Sequence, residues 1–421
     1  MEKKKMKLVF KNNQIILKIL TLFFTVFSIR LKVIPVTPRI IVLVSVLLYV
    51  FFMRGFHYTK DDIKWLIKCF FVFLFTLFSV FLNSANQTDS ELPLYSAFNF
   101  LIFVGLFPFL LIDVFDDELQ FCRALGIAGT IQSIIVIMSA LIPLIRTLLQ
   151  EIQNIDFSRY NYRIFGLGIA GSGGSIYLFC GLFAIAYWII CTKKISIWLT
   201  LIYIINFFAI TLVGRTGFYA AIIVSLCLFI IVGRNGVWKP SALFGWSFFI
   251  LIGMIFLYNY VTSVFESNTE VLLYTFRRLG EGFNYSDSET IEKLSLWNDR
   301  IIPLSFRTLF IGTGVTRGYS YDGLLVSHDG GYAKRYMSIG LVMALYSYVI
   351  YYNYLRKMIK RITGKKGIIV ICLLIMLVIE YKEPFMYQLA LPFTVLMIVK
   401  LKLKAQVQKK EKKWQHYLKK N

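Results

Sequence analysis

His328 and Asp329 stand side by side and bring together two residue types that general acid and base chemistry uses. Imidazole exchanges a proton near neutral pH, and a neighbouring carboxylate is a second base. Both sit in Ser327-His328-Asp329-Gly330-Gly331-Tyr332, at the close of a polar island that runs from Glu266 to Arg335. The chain has 3 histidines, and the other two, His57 and His416, fall in different parts of it. A loop histidine is often simply solvated, and what raises His328 to a candidate is its place before an apolar segment and among arginines. No second histidine accompanies it and no Asp-x-Asp pair occurs in the island, so the residues point to no metal centre.

The island's arginines are Arg277, Arg278, Arg300, Arg307, Arg317 and Arg335. A guanidinium offers a planar fork that matches phosphate oxygens two at a time. Trp297 precedes Arg300 by three positions, and Leu309-Phe-Ile-Gly312-Thr313-Gly314 follows, so an aromatic face near a guanidinium could hold a sugar and its phosphate. The same pair could instead anchor the island at an interface. A second loop, Arg146 to about Gly168, carries Arg159 and Arg163 and leads into a run of glycines ending at Gly174. Glycine-rich backbone can approach a phosphate closely, yet glycines also let apolar helices pack tightly; both readings stay open. Arg215, in Val213-Gly-Arg-Thr-Gly217, either snorkels to an interface or points into a cavity shared with the island and binds a diphosphate.

The elements that must position these residues are hydrophobic helices. The 421-residue chain is 57% hydrophobic and 17% aromatic, with a mean hydropathy of +0.67. That is roughly 10 points more apolar than ordinary usage and marks an integral membrane protein. The expected fold is all-α and polytopic, with about 12 transmembrane helices. The apolar segments fall at about 15–31, 39–53, 63–82, 92–112, 124–145, 170–190, 195–213, 217–232, 241–261, 337–354, 367–380 and 385–400. The N-terminal segment is interrupted by Lys18 and lacks a small-x-small cleavage site, which reads as a first span and not as a removed signal. The organisation expected is spans 1 to 9 over 1–263, a lid loop over 264–336, spans 10 to 12 over 337–400, and a basic tail over 401–421. The lid holds too few residues, and no cysteines, for a core of its own.

Net charge is +23, which in a soluble chain would suggest nucleic acid. Here the lysines lie in short connectors and at both ends, the pattern of a cytoplasmic membrane face, so no nucleic-acid partner is expected. Alternating spans from a cytoplasmic N-terminus put the connectors 54–62, 113–123, 192–194, 233–240 and 355–367 and the C-terminal tail inside. The same alternation puts 83–91, which has no Lys or Arg, and the island outside. The 6 cysteines lie in or beside apolar segments without a CxxC and read as small core residues.

These features together resemble the bacterial O-antigen and capsular polysaccharide polymerases (Wzy-type) and, more distantly, the O-antigen ligases. The resemblance rests on about a dozen spans, Arg215-Thr-Gly217 at a span end, the late loop with Trp297, Arg300 and Gly312-Thr-Gly314, and the closing Asp329-Gly-Gly-Tyr332 with Gly340. An Arg-x(10)-Gly spacing occurs at Arg163/Gly174 and at Arg307/Gly318. The ligase pattern His-[Asn/Ser/Gln]-x(9)-Gly is not met, since Asp329 follows His328 and Gly340 falls one residue late. The resemblance implies a metal-independent, cofactor-free glycosyltransferase on the outer face of the bacterial cytoplasmic membrane. Its substrate would be an oligosaccharide repeat unit on polyprenyl diphosphate, with a flippase and a chain-length regulator as pathway partners. Arg163, Arg215, Arg278, Arg300 and Arg307, with Trp297 and Tyr332, would hold diphosphate and sugar, and His328 or Asp329 would serve the acceptor hydroxyl. An O-antigen ligase and a lipid-linked oligosaccharide flippase are the alternatives, although no internal repeat of the kind flippases carry is visible.

Overall fold

The computed structural model describes residues 2–27, 29, 31–33, 37–53, 59–83, 91–153, 164–193, 196–234, 306–314, 317–319, 325–327, 330–364, 366–382, 384, 386 and 390–418. These are mostly helical. In chain order the elements are α1 (Glu2–Val26), α2 (Pro38–Met53), α3 (Lys60–Asn83), α4 (Glu91–Asn99), a π-helical stretch (Phe100–Leu106), α5 (Phe107–Leu111), α6 (Glu118–Leu141) and α7 (Pro143–Ile152). A short hairpin, β1 (Phe165–Gly166) and β2 (Ile169–Ala170), leads to α8 (Gly171–Thr192), α9 (Ile197–Val213) and α10 (Arg215–Arg234). Then come α11 (Phe306–Phe310), β3 (Arg317–Tyr319), β4 (Leu325–Ser327), α12 (Gly331–Arg361), α13 (Gly367–Lys382) and α14 (Ala390–Leu418).

Five helical stretches among the described residues are long and apolar enough to cross a membrane: Lys60–Asn83, Pro93–Leu111, Glu118–Leu141, Gly171–Thr192 and Arg215–Val232. They match the expected segments at 63–82, 92–112, 124–145, 170–190 and 217–232. The segments near 15–31, 39–53 and 195–213 correspond to shorter apolar helices, Gln14–Val26, Pro38–Phe52 and Ile197–Val213, and 241–261 lies outside the described residues. Large apolar side chains cover the outside of α3, among them Ile67, Phe71, Leu74, Phe78 and Phe81, all exposed. Water would not tolerate so continuous a patch, whereas lipid would. The basic segment expected as a tail from 401 continues as helix to Leu418.

The chain forms two compact units, Met1–Val46 with Leu119–Phe283 and Leu47–Glu118 with Asn284–Asn421. In the first, α8 is the almost wholly buried centre and glycines set how closely its neighbours approach. A Cβ on Gly129 would lie 2.8 Å from Gly181 Cα, and one on Gly217 2.5 Å from Ser175 O. Where backbones meet this closely, polar groups must be satisfied between helices. Asn206 does so: its Nδ2 donates to Thr130 Oγ1 at 2.9 Å and to Ile202 O at 2.7 Å, and its Oδ1 accepts from Ser133 Oγ at 3.1 Å. Helix ends are punctuated locally. Lys193, at φ 51, closes α8 in the left-handed conformation, and Ser196 caps α9 by accepting from Leu199 N.

In the second unit, α3 opens on a reciprocal capping box. Thr59 N donates to Asp62 Oδ2 at 3.1 Å, and Asp62 N to Thr59 Oγ1 at 3.2 Å. Trp65, on the next turn, stacks on Tyr354 of α12 with ring centroids 4.6 Å apart, and its Nε1 donates to Val104 O of the π-helical stretch at 3.3 Å.

If glycine packing governs the first unit, Gly217→Ala will be destabilising by about 1–3 kcal/mol through overpacking. Gly367→Ala, where a Cβ meets nothing within 4 Å, will stay within about 0.5 kcal/mol. Thermal unfolding of the purified protein in detergent reads both.

Candidate functional site

The second unit contains a helix that breaks. Helix α12 is interrupted at Gly340, whose φ of 78 and ψ of 162 lie outside the helical region. Tyr332 and Tyr348 have ring centroids 5.1 Å apart, although an unbroken helix would hold their Cα atoms about 24 Å apart. Arg335 Nε likewise reaches Ser347 Oγ at 3.3 Å. Residues 331–339 therefore turn back alongside the first turns after Gly340, as far as Ser347 and Tyr348. The segment expected to begin a span at 337 is split by this turn, and residues 331–336, placed in the lid on sequence, are helical.

The break is filled by Gly312-Thr313-Gly314. Thr313 N and Gly314 N donate to Met337 O at 2.7 Å and Ser338 O at 3.2 Å, and Thr313 Oγ1 also donates to Met337 O at 3.0 Å. Ser79 Oγ of α3 lies 2.6 Å from Ile311 O and 2.9 Å from Ser338 O. Carbonyls released by the break are thus paired again. Gly312 and Gly340 have positive φ, and a Cβ on Gly312 would stand 2.5 Å from Gly340 N, so no larger residue fits either place.

The fold-back buries two charged side chains. Arg335 is 4% exposed and lies over the Phe100 ring, 5.7 Å from its centroid. Phe100 begins the π-helical stretch, a local widening that recurs at functional sites. Glu380, 1% exposed on α13, accepts from Tyr348 Oη at 2.6 Å and from Met386 N at 2.9 Å. Gly331 opens residues 331–339 with Gly330 as its cap, and a Cβ on Gly331 would run into the Glu380 carboxylate. The carboxylate therefore sits at the positive end of a helix. Tyr332 donates from its hydroxyl to Leu377 O at 2.9 Å, and with Tyr336, Tyr348, Tyr352 and Tyr381 it lines an apolar groove of about 470 Å³. The Tyr336 hydroxyl is buried and has no hydrogen-bond partner among the described residues.

Of the residues that sequence singled out, Tyr332 belongs to this cluster. Arg307 lies on α11, next to the glycine turn. Arg163, Arg278, Trp297, Arg300, His328 and Asp329 lie outside the described residues. Arg215 opens α10 in the first unit. Its neighbours there bear on the glycine question: Gly214 faces Gly171 O and Ser172, and Gly217 N donates to Ser175 Oγ at 2.9 Å. The hairpin before α8 is pinned by Gln153, whose Oε1 accepts from Gly168 N at 2.6 Å, and by Gln132 Nε2, which donates to Leu167 O at 2.7 Å. These glycines pack helices and shape a turn. Arg146 stands 5.5 Å over the Phe165 ring, and burial draws its guanidinium below the usual value.

Two residues that the sequence did not single out for the chemistry are Arg335 and Glu380. Glu380 had a legible signal, an acid closing the uncharged run from Gly367 to Ile379. Charged side chains buried this fully are costly unless partnered, which makes both residues candidates for function. Comparison with protein-family models, with curated proteins and with solved structures found no match to the chain.

Tyr348→Phe removes a donor from a buried carboxylate and should cost about 1–3 kcal/mol. Tyr346→Phe, whose ring meets Phe71 edge-on, should cost under about 0.5 kcal/mol. Denaturation midpoints of the two variants test the difference.

Proposed function

We propose that this chain is a membrane-embedded glycosyltransferase. More particularly, it is a polymerase of the O-antigen and capsular type that joins oligosaccharide repeat units carried on polyprenyl diphosphate. The reading takes the protein to lie in the bacterial cytoplasmic membrane with about 12 spans, both termini cytoplasmic and the island outside. The observation that carries it is two separately buried charges of unlike sign, Arg335 held against Ser347 and Phe100 and Glu380 held against Gly331 and Tyr348, around the fold-back of residues 331–339 that also carries Tyr332.

The transfer needs two services. The acceptor hydroxyl oxygen attacks the anomeric carbon of the donor sugar, the bond from that carbon to the diphosphate oxygen breaks, and the hydroxyl proton passes to a base. Charge gathers on the departing diphosphate, and fixed guanidinium groups stabilise it strongly where water is excluded. Arg335 supplies one such group, and Arg163, Arg215, Arg278, Arg300 and Arg307 are the further arginines assigned to this work. His328 or Asp329 takes the proton, and Glu380 joins them as a third base. Tyr332 contributes an aromatic face for a sugar ring. The reaction runs without metal or cofactor in this reading, the arginines standing in for a divalent cation.

One observation favours a second reading. Broken helices with buried termini are a device of transporters, so a lipid-linked oligosaccharide flippase would also suit α12. Purified full-length protein incubated with its host's lipid-diphosphate repeat unit in EDTA distinguishes them. A ladder of repeat-unit multiples on a gel is expected, weakened about 100-fold or more in Arg335→Ala and in Glu380→Gln. Transfer of the unit to a different acceptor would mean a ligase, and movement of the lipid across vesicles without any product would mean a flippase.

A further inference from the structure

At the opposite end of α12 from its break, the second unit holds a cavity of about 550 Å³ between α3, Ile112 and Asp113 after α5, α12 and α14. Its charges do not balance. Three acids that line it are already paired: Asp61 with Arg361 at 3.2 Å, Asp62 with Lys400 at 2.8 Å, and Asp113 with Lys404 at 3.3 Å. The Lys400 pair is almost fully buried, with Tyr354 Oη donating to Asp62 Oδ1 at 2.8 Å and the ammonium 3.4 Å from the Phe109 ring centroid. The Asp61–Arg361 pair, by contrast, is exposed.

Three further lysines line the same cavity, Lys64 and Lys68 from α3 and Lys357 from α12. Among the described residues they take part in no ion pair. The one remaining acid in the lining is Glu411, which leaves an excess of two positive charges. Lys64 and Lys68 are four residues apart and so share one face of α3. That face also presents exposed Ile63, Ile67 and Phe71. Lys64, Lys68 and Lys357 are exposed, and ammonium groups beside an apolar face long enough to enter a bilayer reach for anions at its interface.

We propose that this cavity binds the headgroup phosphate of an anionic phospholipid, held by Lys64, Lys68 and Lys357, with the acyl chains lying on the apolar face of α3. The occupant is argued from charge and from surroundings. The excess charge calls for an anion, and the apolar surface beside the lysines calls for a tail, which a free phosphate lacks. Lys357 and Arg361 close α12 at the end that the basic-inside bias assigns to the cytoplasm, the leaflet where anionic headgroups attract lysines. The inference rests on membrane insertion and is independent of the glycosyl-transfer reading.

The test is thermal unfolding of the full-length protein in detergent, titrated with phosphatidylglycerol, phosphatidylcholine or inorganic phosphate. Phosphatidylglycerol should raise the midpoint and phosphatidylcholine should not. In Lys64→Gln/Lys68→Gln/Lys357→Gln the concentration giving half the effect should rise by about fivefold per lysine. Lys409→Gln/Lys410→Gln, on the exposed part of α14 outside the cavity, should leave it unchanged. If the triple variant does not fold, Lys357→Gln against Lys357→Arg reads the same effect at about fivefold, with arginine retaining binding. The proposal is overturned if the cavity variants respond to phosphatidylglycerol like the unaltered chain, or if the tail variant loses as much. Equal protection by inorganic phosphate would also overturn it, because the anion would then need no tail.

Discussion

The contact between Gly312 and Gly340 is the constraint from which the second unit follows. Two backbones pass so closely that neither residue can carry a side chain, and both hold positive φ. With the break in place, the carbonyls of Met337 and Ser338 have lost their helical partners. Thr313, Gly314 and Ser79 replace them. The turn at Gly340 is thereby held from two sides, by the glycine loop and by α3. Everything placed by residues 331–339 depends on this clasp: Gly331 against Glu380, Tyr332 against Tyr348, and Arg335 over Phe100.

The first unit uses the same small-residue economy for a different end. Gly129 against Gly181 and Gly217 against Ser175 draw α6, α8 and α10 together. Asn206 satisfies hydroxyls and a carbonyl at the crossing. Without a solvent-driven hydrophobic force between helices in lipid, close van der Waals packing and such interhelical hydrogen bonds hold them. Within the glycine run ending at Gly174, Gly171 lies against Gly214 and Gly168 takes a turn conformation pinned by Gln153.

Charge is distributed in the second unit according to what each end has to do. Near the break, Arg335 and Glu380 are buried singly by different elements, each held by hydroxyl or backbone partners. At the other end the charges come in ion pairs beside lysines left over. The first arrangement suits the proposed handling of a diphosphate; the second suits an interface where anions are abundant.

Hydropathy and charge were enough to read five helices apolar enough to cross a membrane, because apolar run length is a local property of the chain. Capping at Thr59 and Asp62 and the left-handed close at Lys193 are equally local. The motif Gly312-Thr-Gly314 and Tyr332 were visible as residue types. What the glycine motif does was not, since its partner, Gly340, is brought to it only when the chain folds. The uninterrupted apolar character on either side of Gly340 hid the fold-back, because a glycine within such a run is common and only its φ shows that the helix ends there. For the same reason Arg335 read as one loop arginine among six and Glu380 as the end of a span. The contacts of Arg335 with Ser347 and of Glu380 with Tyr348 and Gly331 are consequences of helix segments turning against each other, and no spacing along the sequence encodes that.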